Sequence, residues 1–202
     1  MKIAIAKDEA FNFMYRANVD AMKECGDVCF FSPLTDPELP VCDLLYLPGG
    51  YPELFAEVLA KNTSMKESIR QYAEKRGAIF AECGGMMYLT QSIEINGEAY
   101  PMCNVLPFKC TMENAHLHLG YRIIPLNKNS LKGHEFHYSE IEESVQAPAV
   151  QTTQNQLSAK GLPVATSIYH SKNVIAGYTH WYWAECGFEA FLAQLKSCIK
   201  DA

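Results

Sequence analysis

The segment FAECGGMMYL, residues 80–89, sets a single thiol, Cys83, between an apolar run and two glycines. A nucleophile elbow requires a small residue two places before and two places after the nucleophile, because the turn from strand to helix is tight and strained. Ala81 and Gly85 meet that requirement. The helix that follows would aim its N-terminus at the sulfur, and its partial positive charge favours thiolate. The Gly84 N–H is then placed to donate to an oxyanion. A second donor is expected from Gly50, in the segment PGGYPE, where only glycine lets the backbone come so close. The competing reading is a buried structural cysteine that packs as a small hydrophobe.

A thiol nucleophile works with a histidine base. Among the six histidines, His180 in GYTHWYWAE stands at the end of an apolar strand late in the chain. Late placement of the base is common after an elbow nucleophile. Against this, the neighbours Trp181, Tyr182 and Trp183 also suit a histidine that simply fills a core rim. His116 and His118 (AHLHLG) and His134 and His137 (GHEFHY) raise the question of a metal, since His-x-His on a strand puts both rings on one face. No cysteine pair sits at zinc spacing, and Cys25 and Cys29 straddle a helix end and its turn. The reading is therefore no metal. No GxxxxGK[ST] phosphate loop occurs, so no ATP site is expected within these residues.

The elements that must hold these groups follow from pattern. KIAIAKD, DVCFFSP, LLYLPGG and GAIFAEC read as apolar strands; ANVDAMKECG, PELFAEVLA and SMKESIRQYAEKRG read as helices. Gly26 is expected as a helix-ending glycine, and Ser64 with Glu67 as a capping box. Fully apolar strands alternating with helices imply an α/β fold, an open and mostly parallel sheet with helices on both faces. After about residue 95 the pattern turns to β, in GYRIIPL, GHEFHYSEI, PVATSIYH and NVIAGYTHWYW, before a closing helix, GFEAFLAQLKSCIK. The stretch SVQAPAVQTTQNQLSAKG reads as loop. Sites in such sheets form outside the carboxyl ends of the strands, where PGGYPE and AECGG both lie.

The 202 residues suit one domain, and 49% apolar content suits a two-sided core. A net charge of −6 with no basic run argues against nucleic acid and anionic membrane as partners. No run approaches the roughly 18 apolar residues of a membrane span, and the N-terminus is too quickly charged for a signal peptide. The eight cysteines are Cys25, Cys29, Cys42, Cys83, Cys103, Cys110, Cys186 and Cys198, and most are read as reduced and buried. The expected compartment is the cytoplasm.

Taken in order, KDEAFNF, FSPLTD, LPGGYPELFAEVLAKN, AECGGMMYL, YPMCNVLP, LGYR, GHEFHYSE and YTHWYW resemble the amidotransferase half of the cobyrinic acid a,c-diamide synthases. The resemblance covers residues 1–202 as a single glutamine amidotransferase domain. It implies a class I glutamine amidotransferase-like (flavodoxin-like) fold with extra strands in the second half. By it, Cys83 matches the nucleophile, His180 the base, and Gly50 and Gly84 the oxyanion hole. The implied enzyme hydrolyses glutamine through a cysteinyl thioester. Its ammonia passes to an N-terminal ATP-binding synthetase half, absent from these residues, which uses ATP and magnesium to amidate the a- and c-carboxylates of cobyrinic acid in cobalamin biosynthesis. No cofactor is expected on the residues in hand, and Met1 reads as the start of a split subunit or of an excised half. The resemblance also sets GHEFHYS and KDEAF near the partner half.

Two positions depart from the wider class. Many class I enzymes carry His-x-Glu, but Tyr182 stands two places after His180; Glu185, Glu82 or Glu135 are the candidates for a third member, or the site is a dyad. Met87 stands where many carry glutamine, an apolar pattern similar to the cobyrinate branch. Three other readings stay open: a related tetrapyrrole acceptor such as nickel-sirohydrochlorin, a thiol or redox sensor on the same fold, and a non-catalytic binding module.

Overall fold

A computed structural model describes residues 1–113, 115–125, 130–142, 151–153, 156–185 and 188–193. In chain order the elements are β1 (Lys2–Ala6), α1 (Arg16–Cys25), β2 (Asp27–Phe31), β3 (Leu44–Leu47), a single 3-10 turn (Pro52–Phe55), α2 (Ala56–Lys61), α3 (Thr63–Glu74), β4 (Ala78–Glu82) and α4 (Gly84–Leu89). There follow β5 (Ser92–Ile95), β6 (Glu98–Pro101), β7 (Lys109–Thr111), β8 (His118–Pro125), β9 (Ser130–His137), β10 (Glu140–Glu142), β11 (Gln151–Thr153), β12 (Leu157–Ser158), β13 (Ile168–Ser171), β14 (Val174–Gly177) and β15 (His180–Tyr182). Residues 188–193 are helical.

Seven strands make the central sheet, in the order β11-β13-β14-β4-β3-β1-β2. The pairs β14–β4, β4–β3, β3–β1 and β1–β2 are parallel, whereas β13 and β11 join antiparallel. The expected α/β class and mostly parallel sheet are thus what the chain adopts. Strand alternation splits the apolar side chains into two cores. On one face Ala4, Ala6, Leu45, Leu47, Ile79 and Ala81 pack against Leu59, Met65, Ile69 and Met86. On the other, Ile3, Ile5, Leu44, Tyr46 and Phe80 pack against Val19, Met22, Trp181, Trp183, Phe188 and Phe191. The ring of Trp183 stacks on Phe191 at 4.7 Å, and Phe80 meets both indoles edge-on; each such pair adds about 0.5–1.5 kcal/mol beyond its buried area.

Two smaller sheets complete the fold, β10-β7-β5-β6 and β12-β8-β9-β15. The β5–β6 hairpin turns at Asn96 and Gly97, both at positive φ (52° and 78°), the conformation that Asn-Gly favours. The apolar segment NVIAGYTHWYW divides into β14 and β15, which lie in different sheets.

Local expectations were met unevenly. Gly26 is extended (φ 180°) and does not close α1 in the left-handed region. Its glycine is explained by crowding, because a Cβ there would lie 2.2 Å from the Met1 carbonyl oxygen. The cap of α3 is Asn62, not Ser64: its Oδ1 accepts from Met65 N–H at 3.3 Å. The same side chain donates to the Pro33 and Asp36 carbonyls, tying down the loop after β2, which a serine hydroxyl cannot do. Glu67 turns instead to Arg70 and Gln71. Part of the expected loop at 144–161 is strand, in β11 and β12. The six described cysteines outside 186 and 198 carry free thiols; Cys186, Cys198 and the closing segment beyond 193 lie outside the described residues. Among the described residues no helix is long and apolar enough to cross a membrane.

Candidate active site

Strand β4 ends at Glu82, and the chain turns into α4 through Cys83, whose φ of 47° and ψ of −110° lie outside the regions an L-residue ordinarily occupies. Strain of this kind costs of order 1–3 kcal/mol and persists where the surroundings over-determine it. Here the Cys83 N–H donates to the Gly177 carbonyl at 2.7 Å, continuing the β14–β4 ladder, and its carbonyl accepts from Met87 N–H at 3.0 Å in α4. Gly85 must be glycine, since a Cβ would fall 2.1 Å from the Leu47 carbonyl oxygen. Gly84 and Gly50 approach each other across the turn: a Cβ on Gly84 would lie 2.8 Å from Gly50 O and 3.0 Å from Gly50 N. The loop bearing Gly50 is pinned by Tyr51 N–H to Ala10 O (3.0 Å) and by the reciprocal pair Phe13 N–H to Gly49 O (3.0 Å) and Gly49 N–H to Phe13 O (3.1 Å). Gly50 itself sits at φ 157°, with the Ala10 carbonyl oxygen where a side chain would begin.

A cavity of about 290 Å³ opens over this turn, lined by Cys83, His180, Gly50, Phe13, His134 and Phe136, among others. That is near the lower bound of about 300 Å³ for small-molecule pockets, a size suited to an amino acid. The Cys83 thiol lies 3.7 Å from the Phe136 carbonyl oxygen. Burial pushes its pKa up, opposed by the Gly84 N–H and reinforced by the charges of Glu53 and Glu82. Burial lowers His180 to about 3, helped by the nearby His134 and His137. Both shifts favour the neutral thiol and the neutral imidazole at rest.

Among the described residues no carboxylate holds the His180 ring. Its Nδ1 is buried without a hydrogen-bond partner. Shape confines it: the ring stacks on His134 at 4.8 Å, meets Phe13 edge-on at 4.6 Å, and covers Gly49, where a Cβ would lie 2.1 Å from Cε1. Tyr15 in turn fixes His134, with its hydroxyl 2.6 Å from Nδ1. The three candidate acids go elsewhere. Glu82 accepts from the Trp181 N–H at 2.7 Å and from the Tyr46 hydroxyl at 2.6 Å. Glu135 accepts from the Thr179 hydroxyl at 3.0 Å and pairs with Arg122 at 2.6 Å. Both brace a residue flanking His180 and leave the imidazole alone. Glu185 pairs with Lys132 on the surface. Asn18 completes the brace from α1, donating to Trp181 O at 2.7 Å and accepting from Trp183 N–H at 3.2 Å. Phe13, Asn18, Gly49 and Phe136 carried no signal in the sequence beyond their place in the quoted segments, and Tyr15 lies in none of them.

The sheet holding His180 has two contrasting faces. Residues opposite one another in an antiparallel pair share a face. Leu119 faces Phe136, Tyr121 faces His134, and His134 faces His180. The face that carries the cavity thus continues into Leu119 and Tyr121, which are 63% and 75% exposed. The opposite face carries His118, His137, Glu135 and Arg122, with Glu135 1% exposed. Apolar residues outside and a charged pair inside reverse the usual strand pattern.

Residues 2–188 match the family model described as the CobB/CobQ-like glutamine amidotransferase domain. The cobyrinate a,c-diamide synthase of Picrophilus torridus is 40% identical over 192 residues, covering 91% of the chain and 40% of that protein. That of Fusobacterium nucleatum is 42% identical over 88% of the chain and 40% of the relative. The hydrogenobyrinate a,c-diamide synthase of Stutzerimonas stutzeri is 38% identical over 90% of the chain and 42% of the relative. The chain therefore spans about two-fifths of the length of these relatives. In fold it is similar to a crystal structure of a glutamine amidotransferase (TM-score 0.61, 15% identity, 98% of each chain). A structure of PurLQS from Thermotoga maritima is similar too (TM-score 0.59, 14% identity, 97% of this chain and 98% of that one). With its mostly parallel sheet, its elbow cysteine and a match over almost its whole length, the chain belongs to the CobB/CobQ-like glutamine amidotransferase domain family.

Proposed function

We propose that this chain is the glutaminase half of an ATP-dependent amidotransferase that amidates the a- and c-carboxylates of cobyrinic acid. The observation that carries the reading is the strained Cys83 turn, just before α4, facing a cavity that also holds His180 and Gly50. Both reactive groups begin neutral, so attack and proton transfer are coupled. His180 takes the thiol proton as sulfur bonds to the side-chain amide carbon of glutamine. The N–H groups of Gly84 and Gly50 hold the oxyanion, a term worth 10²–10³ in rate per donor in other enzymes. His180 returns the proton to nitrogen, the C–N bond breaks and ammonia leaves. Water then cleaves the thioester, His180 again carrying the proton, to release glutamate and the free thiol.

The high pKa of Cys83 also weighs against a peroxide sensor, which needs an exposed thiol of low pKa. Six free thiols suit a reducing compartment such as the cytoplasm. The partner in this reading is an ATP- and magnesium-using synthetase half, and the greater length of the relatives supports such a further part. The exposed strip of Leu119 and Tyr121, continuous with the cavity, supports docking on that face. Because the partner half selects the acceptor, hydrogenobyrinate is the second reading, supported by the relative that bears that name. The test joins the chain to its synthetase half and follows glutamate release from glutamine. Cys83→Ala and His180→Ala should each reduce it to background; an unchanged rate in Cys83→Ala overturns the proposal.

A further inference from the structure

We propose that His116, His118 and Glu140 form a divalent-metal site of the zinc class, outside the cavity that holds Cys83. Their ligand atoms all lie within 4.8 Å of one another. His116 Nδ1 is 3.4 Å from Glu140 Oε1, and His118 Nε2 is 3.9 Å from the same oxygen. Metal bonds of about 2.0–2.2 Å in tetrahedral array set ligand atoms about 3.3–3.6 Å apart. One edge already has that length. The others close by rotation of side chains that are partly exposed, 58% for His116 and 44% for Glu140.

His118 is the best-prepared ligand. Its Nε2 is buried with no hydrogen-bond partner. The ring stacks on His137 at 4.5 Å with 7° between planes, and His137 stacks on Tyr178 at 3.6 Å. The Nδ1 of His137 lies 2.9 Å from the Ser139 carbonyl oxygen, which fixes the ring beneath His118. Outer contacts of this sort orient metal ligands. A fourth position would open on a cavity of about 500 Å³ lined by His118, Glu140, Arg122 and Ser139, among others, leaving room for water or an anionic group. The sequence concealed the site because His-x-His lacks a third ligand until the fold delivers Glu140 from a different sheet. His118 begins β8 and Glu140 begins β10, so the metal ties two small sheets together beside β9, which carries His134 and Phe136 to the other cavity.

The test uses the full chain carrying Cys83→Ser, which removes the thiol competitor near His134 and His180. It is titrated with Zn²⁺ by calorimetry and with Co²⁺ by absorption. One metal per chain should bind, and the Co²⁺ complex should show d–d bands without a thiolate charge-transfer band. His118→Ala and Glu140→Gln should each weaken binding by about 100-fold, at the upper end of what even outer-shell changes cost. Glu140 is a partly exposed side chain, so its variant should fold as the parent does, verified by circular dichroism. Absence of binding, equal affinity in Glu140→Gln, or a thiolate band would each overturn the proposal.

Discussion

Replacing Gly49 by alanine probes how His180 is positioned while leaving both reactive side chains in the sequence. The new Cβ would sit 2.1 Å from His180 Cε1 and 2.9 Å from Nδ1, whereas carbon atoms in contact prefer about 3.5–4.0 Å. At least about 1.4 Å of clearance must be found. Gly49 cannot supply it, because its N–H and carbonyl are both bonded to Phe13. Nor can the imidazole slide sideways, since His134 and Phe13 hold it on two sides. The ring must therefore shift or rotate out of place. A 1 Å misplacement costs about 10² in rate, so a loss of 10²–10³, or about 3–4 kcal/mol of barrier, is expected. Two assays read it: glutaminase turnover with the synthetase half, and labelling of Cys83 by a chloroketone analogue of glutamine, followed by mass spectrometry. Thermal melting verifies the fold. If the variant folds and keeps both rates within about threefold of the parent, under 1 kcal/mol of barrier, the steric account is wrong.

Glu82 and Cys83 give two further expectations. Burial raises Glu82 from 4.5 to about 8, with the Tyr46 and Trp181 donors pulling it down. A folded pKa above the unfolded one stabilises fully below pH 4.5, and the benefit is lost as pH rises through about 8. Glu82→Gln removes this dependence, so its stability relative to the parent should climb between pH 5 and 8 by up to about 1.4 kcal/mol per unit. Urea unfolding at both pH values measures it, and a difference that does not change with pH contradicts the assignment. The raised pKa of Cys83 predicts that its alkylation by iodoacetamide keeps rising through pH 9. A plateau already reached below pH 7 would instead indicate a thiolate–imidazolium pair.

Local chemistry was the part of this fold most legible in the sequence. Short apolar runs marked β1, β3 and β4, the last two ending at glycines, and the spacing of Ala81, Cys83 and Gly85 marked the turn. The glycines at 50 and 84 could be paired because each stands at the carboxyl end of a strand. What holds His180 was not legible, because it is assembled across the whole chain. Tyr15 reaches His134 over 119 residues, and Asn18 reaches Trp181 over 163. A search for His-x-Glu looks along one strand, whereas this protein confines the ring with Phe13, His134 and Gly49 and braces the residues on either side. The Asn-Gly pair at 96–97 is a readable signal of the β5–β6 hairpin. Asn62 outcompeted Ser64 as a cap through its ties to the loop after β2, a tertiary effect that local preference does not contain.

The central claim is a covalent bond between Cys83 and the glutamyl group, and trapping it is the most direct measurement. The joined enzyme is mixed with glutamine, quenched in acid within a turnover, and its peptides are weighed. A glutamyl adduct on the peptide carrying Cys83, absent in Cys83→Ser and in samples without glutamine, is predicted. Glutamate release at full rate with that peptide unmodified at every quench time would contradict the account.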